Sequence, residues 1–131
     1  MSKPAAKKGD KIIALDTHIV MIPSPGGPVP TPMPMPFCGS INGNLSSDVI
    51  IEKKNAATKG STAENMPRHI PSGGPFQKVP SNKATIQKGS AKVLINNQEA
   101  AHLGDPAETC NDPADAPQGS VLGTGTVLIG D

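Results

Sequence analysis

The chain carries a repeat whose third copy is divided between its two ends. Val49-Ile50-Ile51-Glu52-Lys53-Lys54-Asn55-Ala56-Ala57-Thr58-Lys59-Gly60-Ser61 aligns without gaps on Val93-Leu94-Ile95-Asn96-Asn97-Gln98-Glu99-Ala100-Ala101-His102-Leu103-Gly104-Asp105, a displacement of 44 residues (93 minus 49). Ala5-Ala6-Lys7-Lys8-Gly9-Asp10 and Val127-Leu128-Ile129-Gly130-Asp131 supply the halves of the remaining copy. A unit of such a repeat cannot bury its apolar face alone and must stack on its neighbours. Splitting one copy across the ends then favours a closed set of three units in which the first and last segments meet.

Each copy follows one pattern: a β-branched triplet, polar turn residues, an Ala-Ala pair, and glycine. That is the pattern of a hairpin, with a tight turn expected at Lys53-Lys54 or Asn96-Asn97. The alanines suit a place where strands crowd too closely for larger side chains. Gly60 and Gly104 permit the positive φ with which the backbone leaves the ladder. Strands are expected over 10–22 (one strand or a bent pair), 47–53, 92–96 and 124–129, and no segment shows a capped helical period. The expectation is a single all-β domain over residues 1–131. Its repeat cores lie near 1–22 with 124–131, 47–70 and 90–110, and a proline-rich insertion spans 23–46.

Composition narrows the functional classes. Leu, Ile, Val and Phe number 26 of 131 residues, few enough to lean toward disorder, but the formal net charge is only +1 and the apolar residues are clustered in short runs. A core this thin calls for a staple. Near-neutral charge and two aromatic residues argue against a nucleic-acid binder. The cluster Lys3, Lys7, Lys8 and Lys11 reads as a solvated terminus. No apolar run reaches the length needed to cross a bilayer, and the run 12–22 fails as a secretory signal because Asp16 and His18 interrupt it. The chain is therefore expected to be made in the cytoplasm without a signal peptide. Alternating prolines in Val29-Pro30-Thr31-Pro32-Met33-Pro34-Met35-Pro36-Phe37 imply an extended polyproline segment, either an exposed linker or one packed through its methionines.

The staple is suggested by the histidines. His18 follows Gly9 by nine residues and His69 follows Gly60 by nine, so the two are equivalent positions. In the remaining unit Cys110 follows Gly104 by six, with His102 just upstream. Together His18, His69, His102 and Cys110 would form the closed tetrahedral N/S set that zinc prefers, with iron the second choice. A disulfide between Cys38 and Cys110 is also open. Without a secretory signal, Cys110 is read as a ligand and Cys38 as a buried small hydrophobe.

Pro4-Ala5-Ala6-Lys7 with Gly9-Asp10, Glu99-Ala100-Ala101-His102-Leu103-Gly104-Asp105 and the looser Asn55-Ala56-Ala57-Thr58-Lys59-Gly60-Ser61 resemble the motif of the PAAR-repeat proteins, the metal-stabilised tips of contractile injection machines. The likeness covers nearly the whole chain, which departs from the pattern in lacking arginine after Ala-Ala and in its long 23–46 segment. It implies a short cone of β-hairpins with pseudo-threefold symmetry and a metal near the apex. The metal would be held by His18, His69, His102 and Cys110. The base would seat, as a monomer on a trimer, on a β-helical VgrG-like spike protein, and effectors could attach noncovalently. The resemblance implies a structural, membrane-puncturing role in a type VI secretion system or a phage-tail-like particle, with neither catalysis nor stable membrane insertion, and placement at the tip of the particle for delivery outside or into a target cell. Two other classes remain open on the residues alone: a small zinc-dependent hydrolase, although no His-Glu-x-x-His occurs, and a proline-rich adaptor without metal.

Overall fold

The computed structural model describes residues 2–130. Its strands are β1 (Lys3–Pro4), β2 (Lys11–Ile22), β3 (Val29–Gly43), β4 (Ile50–Ile51), β5 (Lys54–Asn55), β6 (Thr62–Asn65), β7 (Lys83–Ile86), β8 (Leu94–Ile95), β9 (Gln98–Glu99), β10 (Pro106–Thr109), β11 (Ala116–Leu122) and β12 (Leu128–Ile129), with no helix among the described residues. The fold is all-β and consists of three pseudo-repeats. Each unit has a short base hairpin, an Ala-Ala link, a glycine turn and a wall hairpin.

The base hairpins are β4/β5, β8/β9 and the split pair β1/β12, in which Lys3 faces Ile129 and Pro4 faces Leu128. The divided copy thus closes by strand pairing, as the sequence implied. Their turns demand left-handed backbone at two successive residues: Asn96 and Asn97 have φ of 52° and 65°, and Glu52 and Lys53 have 49° and 71°. The second turn lies one residue earlier than the expected Lys53-Lys54. Ladder pairing in these copies covers two residues on each side, shorter than the runs 47–53, 92–96 and 124–129, and continues only as single hydrogen bonds from Ala56, Ala100 and Ala5 to the carbonyls of Val49, Val93 and Val127.

The Ala-Ala links form a ring. Ala6 N–H donates to the Ala101 carbonyl (2.9 Å), Ala101 to Ala57 (3.1 Å), and Ala57 back to Ala6 (3.0 Å). Bridges Ala5 to His102, Lys7 to Ala56 and Thr58 to Ala100 repeat the same cycle. All six alanines are at most 1% exposed, so any larger side chain would meet a neighbouring unit. Below the ring Ile51, Ile95 and Ile129 pack with Ala5, Ala56 and Ala100. The residue before each isoleucine faces outward: Ile50, Leu94 and Leu128 are 55%, 59% and 60% exposed. Polar contacts lock each hairpin tip to the next unit, as Asn96 does to Ser46 (2.5 Å) and Asp48 (2.6 Å), and as Glu52 does to Thr126 (3.4 Å). Gly130 accepts from Ser90 to complete the cycle.

Beyond the links, Gly9, Gly60 and Gly104 turn the chain at φ of 93°, 96° and 87°, and each N–H is taken by a wall carbonyl, of Ile41, Ile86 and Val121 respectively. The wall is a closed barrel in the order β10-β11-β2-β3-β6-β7, assembled from the hairpins β2/β3, β6/β7 and β10/β11. Its interior holds Ile12, Phe37, Ile41, Ala63, Ala84, Ile86, Ala107 and Val121. This thin core matches the low apolar content.

The segment read as a proline-rich insertion is instead β3, the second wall strand of the first unit. It pairs with β2 residue for residue from Lys11/Ser40 to Ile22/Val29. In an antiparallel pair alternate residues direct both N–H and C=O to the partner. Thr31, Met33, Met35 and Phe37 can do so, while Pro30, Pro32, Pro34 and Pro36 place their missing donors on the other edge, where proline is tolerated and blocks further strand addition. Met35 and Phe37 are buried, whereas Cys38 points outward and is exposed, contrary to the expected buried hydrophobe. Lys7 also departs from the solvated reading: it is 7% exposed, 3.3 Å from Asp10 and hydrogen-bonded to the Thr124 carbonyl.

Candidate metal centre

Alternation along β2 turns Ile12, Asp16, His18 and Val20 inward. At about 3.3 Å per residue, Asp16 and His18 stand roughly 23 and 30 Å along the strand from the Gly9 turn, toward the end of the wall opposite the base. His69 reaches the same level from the segment after β6, its N–H donating to Asn82 Oδ1 (2.8 Å) just ahead of β7. Cys110 directly follows β10. One ligating atom from each of Asp16, His18, His69 and Cys110 lies within 4.8 Å of the others, and this buried group can hold a metal ion.

Asp16, fully buried, is the hub. Its Oδ1 accepts from Thr109 Oγ1 (2.5 Å), and its Oδ2 faces His69 Nε2 (2.9 Å) and accepts from Cys110 Sγ (3.4 Å). Asn65 fixes the His69 tautomer. Its Oδ1 accepts the Cys38 N–H (2.9 Å), leaving its Nδ2 to face His69 Nδ1 at 3.3 Å. Nδ1 therefore accepts, and Nε2 carries the proton toward Asp16; to bind an ion through Nε2, His69 would have to move that proton to Nδ1 and give up the Asn65 contact.

His18 is different. Its side chain is 1% exposed, yet neither ring nitrogen has a hydrogen-bond partner. Its ring lies 4.9 Å from that of His69 and edge-on to Phe76. Buried polar atoms left unpaired are costly and rare, so two on one ring in a nest of ligand-type side chains indicate a missing partner. Burial lowers the His18 pKa, with Asp112 opposing the shift, which keeps the imidazole in the neutral form that binds metals. The Cys110 thiol is pushed up to about 12, first by burial and then by Asp16. It would become a thiolate only with a cation beside it. Two neutral imidazoles, one carboxylate and one thiolate would exactly balance a divalent ion's charge without leaving net charge in the interior.

Three of the four sequence-expected ligands, His18, His69 and Cys110, thus come together. His102 is not in this group. It occupies the link position equivalent to Lys7 and Thr58, where its backbone N–H donates to Asp105 Oδ2 (2.6 Å), as Lys7 does to Asp10 and Thr58 to Ser61. Its ring lies 2.5 Å from Asp105 Oδ1, and burial raises the pKa of that carboxylate. Asp16 takes the remaining place in the cluster. The Cys38–Cys110 disulfide is absent: both thiols are free, one outside the wall and one inside it.

Fold and site together define an all-β, three-unit closed wall with a potential metal-binding group inside it. Comparison with protein-family models, with curated proteins and with solved structures returns no match.

Proposed function

We propose that the chain is a structural, PAAR-like tip that caps a trimeric spike, with a zinc ion held by Asp16, His18, His69 and Cys110. The observation that carries this reading is the base. Three hairpins related by the alanine ring present Ile50, Leu94 and Leu128, each more than half exposed, at the same position of each unit. A monomer gains nothing by exposing one apolar side chain three times in a ring, whereas a threefold partner can bury all three at once. The metal would supply coordinate bonds where the core is thin, and metal-binding free energy becomes folding free energy. Four protein ligands would leave no position for substrate, which favours a structural over a hydrolytic role.

A second reading has its own support. Asp16 already engages Thr109, His69 and Cys110, so the cluster could serve as a hydrogen-bonded staple without metal. The orphaned nitrogens of His18 weigh against it. Elemental analysis of the purified chain decides between the two: about one tightly bound zinc per chain is expected, and none would leave the hydrogen-bonded staple. Co-expression with trimeric β-helical spike proteins tests the base. Association should be lost in the triple variant Ile50→Asp/Leu94→Asp/Leu128→Asp, and retention there would overturn docking through this face.

A further inference from the structure

We propose that Asp112 is the positioning residue for His18, accepting its Nδ1–H so that Nε2 is presented to the ion. The inference rests on the metal reading above. The third unit has Pro113 at the position equivalent to His18 and His69 (69 plus 44), so it provides no histidine there. Its 110–115 loop instead supplies two groups to the neighbouring unit's histidine: Cys110 inside the cluster and Asp112 behind the ring. Asp112 Oδ2 lies 3.6 Å from His18 Nδ1, with side chains 4% and 1% exposed.

The loop is fastened on both sides of His18. Asp112 N–H donates to the Thr17 carbonyl (2.8 Å), Thr17 N–H donates to Asn111 Oδ1 (2.6 Å), and Ile19 N–H donates to Asp112 Oδ2 (2.8 Å). The carboxylate is therefore immobilised before the ring engages it. An imidazole bound through Nε2 must carry its proton on Nδ1 and needs an acceptor there, and a carboxylate in that place fixes tautomer and ring angle and raises ligand basicity. Closing the 3.6 Å separation to a hydrogen bond requires only a small rotation of a ring that no other hydrogen bond restrains. His69 has no such carboxylate at Nδ1. The two histidines thus have different neighbours at Nδ1, the Asn65 amide for His69 and a carboxylate for His18.

Cobalt(II) is the probe. Wild type, Asp112→Asn and Asp112→Glu are loaded with Co²⁺, the visible spectrum is recorded, and affinity is measured by competition with a chelator. Asp112→Asn should bind about 10- to 100-fold more weakly with an altered spectrum, and Asp112→Glu should recover part of the affinity. Ala101→Leu, in the alanine ring at the base, should lower stability while leaving the cobalt spectrum unchanged, which separates positioning from a structural role. Wild-type affinity and spectrum in Asp112→Asn would overturn the assignment. Should that variant not fold, an unchanged spectrum in Asp112→Glu, whose carboxylate is displaced by a methylene, would overturn it equally. A wild-type chain that takes up neither cobalt nor zinc would instead sink the metal reading itself.

Discussion

The base and the upper wall are made from the same three units and are held together in opposite ways. At the base the units are interchangeable: alanine meets alanine, isoleucine meets isoleucine, and backbone hydrogen bonds run in a cycle. In the upper wall they are specialised. One contributes Asp16 and His18 from a twelve-residue strand, one His69 from a loop, and one Cys110 with Asp112. Symmetry is kept where units touch one another around an axis. It is lost where a single small site needs different side chains from each unit.

The largest test of the contrast removes residues 127–131, and with them β12. Without it β1 has no partner and the ring is open, so the shortened chain should fail to fold by circular dichroism. A soluble, folded product would show that the base does not depend on closure. Next in size, stripping the metal or making His69→Ala should lower the melting temperature by at least about 15 °C, given the roughly 10 kcal/mol a structural zinc can contribute. Hydrogen exchange should then show lost protection at Ile19 and Asp112 while Ala6, Ala57 and Ala101 stay protected. Uniform loss would mean that base and wall are one cooperative unit.

Smaller effects probe the base itself. Ala101→Leu, overfilling the ring, should cost about 1–3 kcal/mol. Gly104→Ala should cost about 1 kcal/mol through its φ of 87° alone, since no atom lies within 4 Å of the added Cβ. Melting curves of the two variants rank them, and the reverse order would imply that the ring tolerates expansion.

The dependence on pH separates two buried groups of the upper wall. In the metal-free chain the folded Cys110 thiol, pushed up to about 12, lies above the ordinary thiol value of 9.0, so the folded state binds more protons between them. Stability should be fully present below pH 9 and fall as pH rises toward 12. His18 is lowered from 6.5, so its contribution should be present above pH 6.5 and fall as pH drops below it. Cys110→Ser should remove the alkaline slope, and its persistence would assign that slope elsewhere.

The base was legible because its signal is written three times. The ring, the glycine turns and the pairing of β1 with β12 all follow from aligned positions. Asp16 was not legible: its counterpart 51 residues later is Pro67, so an argument built on equivalence passes over a residue used once. His102 shows the converse. Its alignment with Lys7 and Thr58 places it in the link, ahead of the glycine turn and away from the position shared by His18 and His69. The prolines of β3 were read by local preference, but their conformation is set by β2, a partner that no local pattern reveals.

Pairing β1 with β12 makes the path of the backbone circular in all but one connection. The ring therefore has no intrinsic first unit. A variant in which a two-residue Asn-Asn turn replaces Gly130 and joins Ile129 to Lys3, while the chain opens between Glu52 and Lys53, should retain the same base and wall. Three equivalent places to cut one fold would mark the molecule as a cycle that sequence order merely happens to traverse from one point.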